Sequence, residues 1–219
     1  MNINFEVARN LMVENQLRPN KITDPEILDL FRNTKKEDFL ENEIKKISYN
    51  DSDIYVDQNR GYLKTLHIAQ LVSNSEITKE DKVLHIGGLT GYVSVILANI
   101  CKKLVVIEKN DKLILDFEKN INSLNIENTK IFKSDLYDGF LRESPYDIIF
   151  IDNPIVEVSE QIKNQLSNNF GKLIMIKKVG SQLCKAFKIT KHNNSYTNEY
   201  LFDVFTKYEL YKQSKGFIF

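Results

Sequence analysis

The sequence predicts an α/β protein built on a doubly wound, mostly parallel sheet, and three observations carry that reading. Short apolar runs at 83–86, 104–107, 130–132, 146–152 and 171–176 alternate with stretches of helical periodicity such as Ile114, Phe117 and Ile121. Alternation of this kind points to βαβ units and parallel pairing. The run YDIIFID (146–152) is almost unbroken in apolar residues, as in a strand buried on both faces. Finally, VLHIGGLTGY (83–92) reads as strand, glycine turn and helix, and Gly87, Gly88 and Gly91 are three of the chain's eight glycines. A glycine turn after a buried strand lets backbone approach a ligand closely and aims a helix N-terminus at it.

Taken in order, the first third reads as helical. Phe5, Ala8, Leu11 and Met12 recur at helical spacing, and Pro19 is expected to stop that helix. Thr23 and Glu26 form a capping-box signature with Pro25 in the first turn, and Ile27, Leu28, Leu30 and Phe31 give the next helix an apolar side. We read residues 1–57 as a helical cap, 58–186 as the ligand-binding core, and 187–219 as antiparallel strands added at one edge, with runs such as YLFDVFT. A helix through Leu66, Ile68, Ala69, Leu71 and Val72 leads into the first core strand. No flexible linker separates these parts, so the chain reads as one domain.

Composition narrows the class. Thirty basic and thirty acidic residues cancel, which gives no bulk attraction to nucleic acid or to an anionic membrane. Cys101 and Cys184 fit no metal spacing and are expected to be reduced thiols in a cytoplasmic protein. No apolar run approaches bilayer-spanning length. No metal and no nucleic-acid partner is expected.

In doubly wound sheets ligands bind outside the carboxyl ends of the strands. The candidates are therefore His85 and Gly87 to Gly91, Glu108, Ser134 with Asp135 and Leu136, and Asp152 with Asn153. Glu108 ends LVVIEKN, and 108 − 87 = 21 residues separate it from the first glycine. A carboxylate at that distance, at the tip of the second strand, is the usual acceptor of ribose hydroxyls. Asp135 can reach an adenine edge or simply form the turn in SDLYDG. Asp152 lies nearest the expected reaction centre.

MVENQLRPNKITDPEIL (12–28), VLHIGGLTGY and FDVFTKYELYKQSKGFIF (202–219) together resemble the protein-L-isoaspartate O-methyltransferase family, particularly its bacterial branch of paralogues. The resemblance spans nearly the whole chain. It implies a Rossmann-like class I methyltransferase fold and S-adenosylmethionine as cofactor. It also implies an isoaspartyl carboxylate of damaged protein as the methyl acceptor. By position, Gly87 would line the methionine end of the cofactor, Glu108 would bind the ribose, and Asp135 with the Leu136 backbone would hold the adenine.

Three departures stand out. His85 takes the place of an acid, Leu89 replaces the middle glycine, and the family's glycine-glutamine-threonine-isoleucine-serine stretch reads RGYLKTLH (60–67). Lys64 falls on the serine position, and Thr65 is one place out of register. If catalytic groups persist there, they are Lys64 and Thr65. An ammonium at Lys64 facing the methyl end would repel a sulfonium and favour the uncharged product S-adenosylhomocysteine. The rival readings are a diverged paralogue that binds S-adenosylhomocysteine or a protein partner without turnover, and a nicotinamide dehydrogenase, from whose GxGxxG pattern this turn departs.

Overall fold

The computed structural model describes residues 3–193 and 195–211, so the end of the closing FDVFTKYELYKQSKGFIF segment lies outside the described residues. Its centre is a seven-stranded sheet in the order β5-β4-β3-β6-β7-β8-β9, with β3 (Lys82–Ile86), β4 (Lys103–Glu108), β5 (Thr129–Lys133), β6 (Ile148–Phe150), β7 (Asn169–Lys178), β8 (Leu183–His192) and β9 (Ser195–Phe205). The first five in the chain pair in parallel; β8 and β9 add antiparallel at the edge, starting at Leu183, ahead of the expected boundary at 187. The direction of winding reverses between β3 and β6, which makes their carboxyl ends the switch point.

Alternate residues of each strand feed two cores, one on each face. Val83, Leu104, Val106, Ile148 and Phe150 pack with helices α3 (Thr65–Ser75), α4 (Tyr92–Ala98) and α5 (Asp111–Ser123). Leu84, Ile86, Val105, Ile107 and Ile149 pack with Leu136, Tyr146 and Ile162 of α6 (Glu160–Asn164), and with Leu210 of the C-terminal segment. Their complete burial supplies most of the force that holds the sheet.

The N-terminal cap differs in detail from expectation. Helix α1 (Phe5–Met12) runs on through a π-helical turn, Val13–Leu17, into a 3₁₀ turn, Arg18–Asn20, that contains Pro19 and is closed by left-handed Lys21. The cap of α2 (Pro25–Asn33) is Asp24, whose carboxylate accepts from the Glu26 N–H at 2.9 Å. Thr23 is displaced because Pro25 fixes the first helical position one residue later than the capping box implied. Arg9 is buried and ties α1 to Glu37 (3.0 Å), to the Tyr49 hydroxyl and to the Arg32 carbonyl. A hairpin of β1 (Ile54–Asp57) and β2 (Arg60–Tyr62) straddles the expected cap–core boundary at 57.

Candidate functional site

At the end of β3 the chain turns through Gly87 at φ +86° and Gly91 at φ +105°, the residue that caps α4. Both are conformations that a side chain resists. Gly88 is required for another reason: a Cβ there would lie 2.4 Å from Val106 Cγ1, so α4 packs onto β4 only with hydrogen at this position. Leu89 also stands in the left-handed region, at φ +50°, fully inside the protein. Glu108, at the tip of β4, is wholly buried beside this turn and accepts the Leu89 N–H at 3.3 Å. The glycines and the carboxylate thus come together as the spacing predicted.

Glu108 is not free, however. Arg60 of β2 grips it with two nearly parallel hydrogen bonds, Nη1 to Oε2 at 2.8 Å and Nη2 to Oε1 at 2.9 Å. The N–H groups of Lys109 (2.8 Å) and Asn110 (3.1 Å) take up Oε1 as well. Arg60 is itself buried and reaches Asp57 at 3.0 Å. Burial pulls the guanidinium toward deprotonation, but the bonds and charges of Glu108 and Asp57 outweigh it and hold its pKa above the ordinary arginine value. A Cβ built on Gly87 would meet Leu210 Cδ1 at 2.5 Å and lies 3.6 Å from Arg60 Nη1. The surface on which a ligand would rest is therefore covered by the protein's own side chains.

The cover is tied down on every side. Asn153 brackets Gly61, accepting its N–H at 3.3 Å and donating to its carbonyl at 3.2 Å. Residues 206–211 cross the strand ends as a strap; Glu209 N–H bonds the Asn59 carbonyl at 2.9 Å, and Leu210 N–H bonds the Pro154 carbonyl at 2.8 Å. Thr90 Oγ1 donates to the Phe39 carbonyl at 2.6 Å, so the Tyr62 hydroxyl donates to Thr90 (2.7 Å) and accepts the Tyr92 N–H (3.2 Å). Tyr62 thereby satisfies an amide in the first turn of α4 that has no partner within the helix.

The other expected residues fall in different places. His85 lies on the core face of β3, with Nδ1 2.7 Å from the Ser94 hydroxyl and Nε2 3.4 Å from Asp152 Oδ1; both His85 and Asp152 are buried. Asp135 is exposed and accepts the Tyr137 N–H at 2.7 Å, so it forms the turn, while Leu136 packs beneath Gly87. The Lys64 ammonium is partly exposed and stands 3.8 Å from Asp51. Thr65 is buried, with its hydroxyl 3.4 Å from the Lys36 ammonium.

Sequence reasoning missed Arg60 and Lys36. The signal for Arg60 was present: counting back from Lys64, it occupies the glycine that opens the family stretch. Lys36 has no exposed surface, and its ammonium sits over the rings of Tyr92 (5.4 Å) and Tyr62 (5.9 Å). Burial lowers its pKa to about 7. In this conformation Glu108 and the Gly87 backbone, the places expected to receive S-adenosylmethionine, are occupied from within by Arg60 and Leu210.

Comparison with known proteins identifies the lineage. Residues 8–205 match the profile of the family described as Protein-L-isoaspartate(D-aspartate) O-methyltransferase (PCMT). The chain is 28% identical over 193 residues to Protein-L-isoaspartate O-methyltransferase 2 of Geotalea uraniireducens, covering 88% of each chain. It is 27% identical over 173 residues to the enzyme of Trichlorobacter lovleyi, covering 79% of each. Among solved structures, a protein-L-isoaspartate O-methyltransferase superposes with a TM-score of 0.78 at 24% identity, over 90% of this chain and 64% of that one. A Plasmodium falciparum protein described as a putative protein-L-isoaspartate O-methyltransferase, in complex with S-adenosyl-L-homocysteine, gives a TM-score of 0.75 at 19% identity, over 96% and 100%. These two superpositions establish the shared fold. The chain belongs to the protein-L-isoaspartate O-methyltransferase family of S-adenosylmethionine-dependent O-methyltransferases.

Proposed function

We propose that this chain acts on isoaspartyl carboxylates of damaged cytoplasmic proteins, with S-adenosylmethionine as methyl donor and Glu108 as the ribose acceptor. The observation that supports this reading is the juxtaposition of buried Glu108 with left-handed Gly87 at adjoining strand ends. Gly88, Gly91 and Leu136 complete that wall, with His85 and Asp152 behind it. The acceptor carboxylate is already ionised at neutral pH, so the protein has no proton to remove and acts by orientation. Lys64 and Thr65 are not retained as catalytic groups, since Asp51 and Lys36 engage them.

A second reading is a diverged paralogue with weak or no turnover, and the bidentate hold of Arg60 on Glu108 favours it. Transfer of radiolabelled methyl to an isoaspartyl peptide, against the same peptide with ordinary aspartate, separates the two. The first reading expects transfer to the isoaspartyl peptide alone. No transfer at saturating donor would overturn it in favour of the second.

A further inference from the structure

We propose that Arg60 and Leu210 form an internal latch over Glu108 and Gly87, so that a ligand binding through its ribose hydroxyls must first displace Arg60 from Glu108. The inference rests on Glu108 being the ribose acceptor. A guanidinium presents two parallel N–H donors to the two oxygens of a carboxylate, much as two neighbouring ribose hydroxyls do. Arg60 makes that pair of bonds at 2.8 and 2.9 Å in a fully enclosed setting. Leu210 lies against the face of Gly87 that the left-handed turn leaves bare.

The two halves of the latch are joined, because the strap carrying Leu210 bonds the β1–β2 turn through Asn59, next to Arg60. The latch also has a second resting place. Arg60 already touches Asp57, whose side chain is 16% exposed against 0% for Glu108. Arg60 swung off Glu108 keeps this partner and gains water, so the guanidinium is not stranded, and the cost of opening falls on Glu108, which keeps only the N–H groups of Leu89, Lys109 and Asn110 until a ligand arrives. Affinity for a ligand that binds through its ribose hydroxyls is scaled down to the fraction of molecules in which Arg60 is off Glu108.

Calorimetric titration of the full chain tests this, using S-adenosylhomocysteine, adenosine and a dideoxyadenosine that lacks both ribose hydroxyls. Arg60→Ala should tighten S-adenosylhomocysteine and adenosine by about 10-fold or more, and leave the dideoxy nucleoside nearly unchanged. Arg60→Lys, which offers one point donor in place of a fork, should fall between parent and Arg60→Ala. Leu210→Ala frees space without freeing Glu108, so it should improve all three ligands alike. Should Arg60→Ala not fold, Arg60→Lys and Leu210→Ala still read the two halves separately. Equal affinities in the parent and in every folded variant would overturn the latch. So would an equal gain for adenosine and the dideoxy nucleoside in Arg60→Lys, which would mean a loosened lid rather than a vacated carboxylate. An Arg60→Ala, Leu210→Ala protein that binds tightly but methylates no isoaspartyl peptide leaves the latch standing and removes the first functional reading.

Discussion

The cleft at the strand ends has two sides, and they are fixed by different physics. On the sheet side, Gly87, Gly88, Gly91 and Glu108 sit where parallel pairing of β3 with β4 and packing on Val106 and Phe117 put them. On the lid side, Arg60, Tyr62 and Leu210 come from a short hairpin and a terminal strap, and they hold the closed state through individual polar bonds to single residues of the wall. A wall held by close packing changes only at the cost of the core. A lid held by a few directional contacts changes with one substitution.

The largest test of that contrast is Arg60→Ala in the absence of ligand. It leaves the Glu108 carboxylate buried with backbone N–H groups but no counter-charge, which costs about 3–5 kcal/mol. Urea unfolding should show the midpoint falling at an unchanged slope. Combining Arg60→Met with Glu108→Gln should restore most of the loss, because a neutral pair leaves no uncompensated charge. If the single variant is as stable as the parent, Glu108 is not sealed by Arg60 and the lid is looser than described.

How much of this was legible in the sequence follows the same division. Sheet, glycine turn and Glu108 were readable because burial on two faces and a left-handed turn leave local marks, namely unbroken apolar runs and clustered glycine. The β1–β2 hairpin was not, because its strands are short and its turn passes through Gln58 at φ +49° rather than through an Asn-Gly pair. The Arg60–Glu108 pair joins residues 48 positions apart, and no periodicity encodes such a contact. Lys64 was expected to face inward because family position was its only guide. The acid it stands beside is Asp51, a residue that the motif does not include.

A middle-sized effect comes from the underside of the lid, where Lys36 is enclosed by Tyr62, Tyr92 and Thr65, and the charge of Asp53 only partly offsets its burial. Its pKa is about 7 in the folded chain against 10.5 in the unfolded one. Between those values the unfolded chain holds a proton that the folded chain has released, so stability rises with pH across that window. Below pH 7 both states are charged and the full cost of burying the ammonium remains. The rise is at most about 1.4 kcal/mol per pH unit. Denaturation midpoints taken at pH 7 and at pH 9 should therefore differ, and Lys36→Met should be more stable at the lower value and lose this part of the slope. Parallel slopes in parent and variant would show that water reaches the ammonium.

The smallest effect sharpens the comparison most, because it sets two residues of one stretch against each other. Arg60 and Lys64 are both cationic residues of RGYLKTLH, yet one is sealed against Glu108 and the other lies at the surface near Asp51. Replacing Lys64 with serine removes a long, partly exposed ion pair and should change stability by no more than about 0.5 kcal/mol. It should also leave the affinity for S-adenosylhomocysteine and the preference between sulfonium and sulfide ligands untouched, since the ammonium is partly exposed and its ion-pair partner is Asp51. Titration of Lys64→Ser beside Arg60→Ala supplies the contrast directly: one variant inert, the other tighter. A shift of ligand preference in Lys64→Ser toward the sulfonium would mean that the ammonium turns inward when the cleft is filled, and the charge that distinguishes this site would then reside at Lys64 as well as at Arg60.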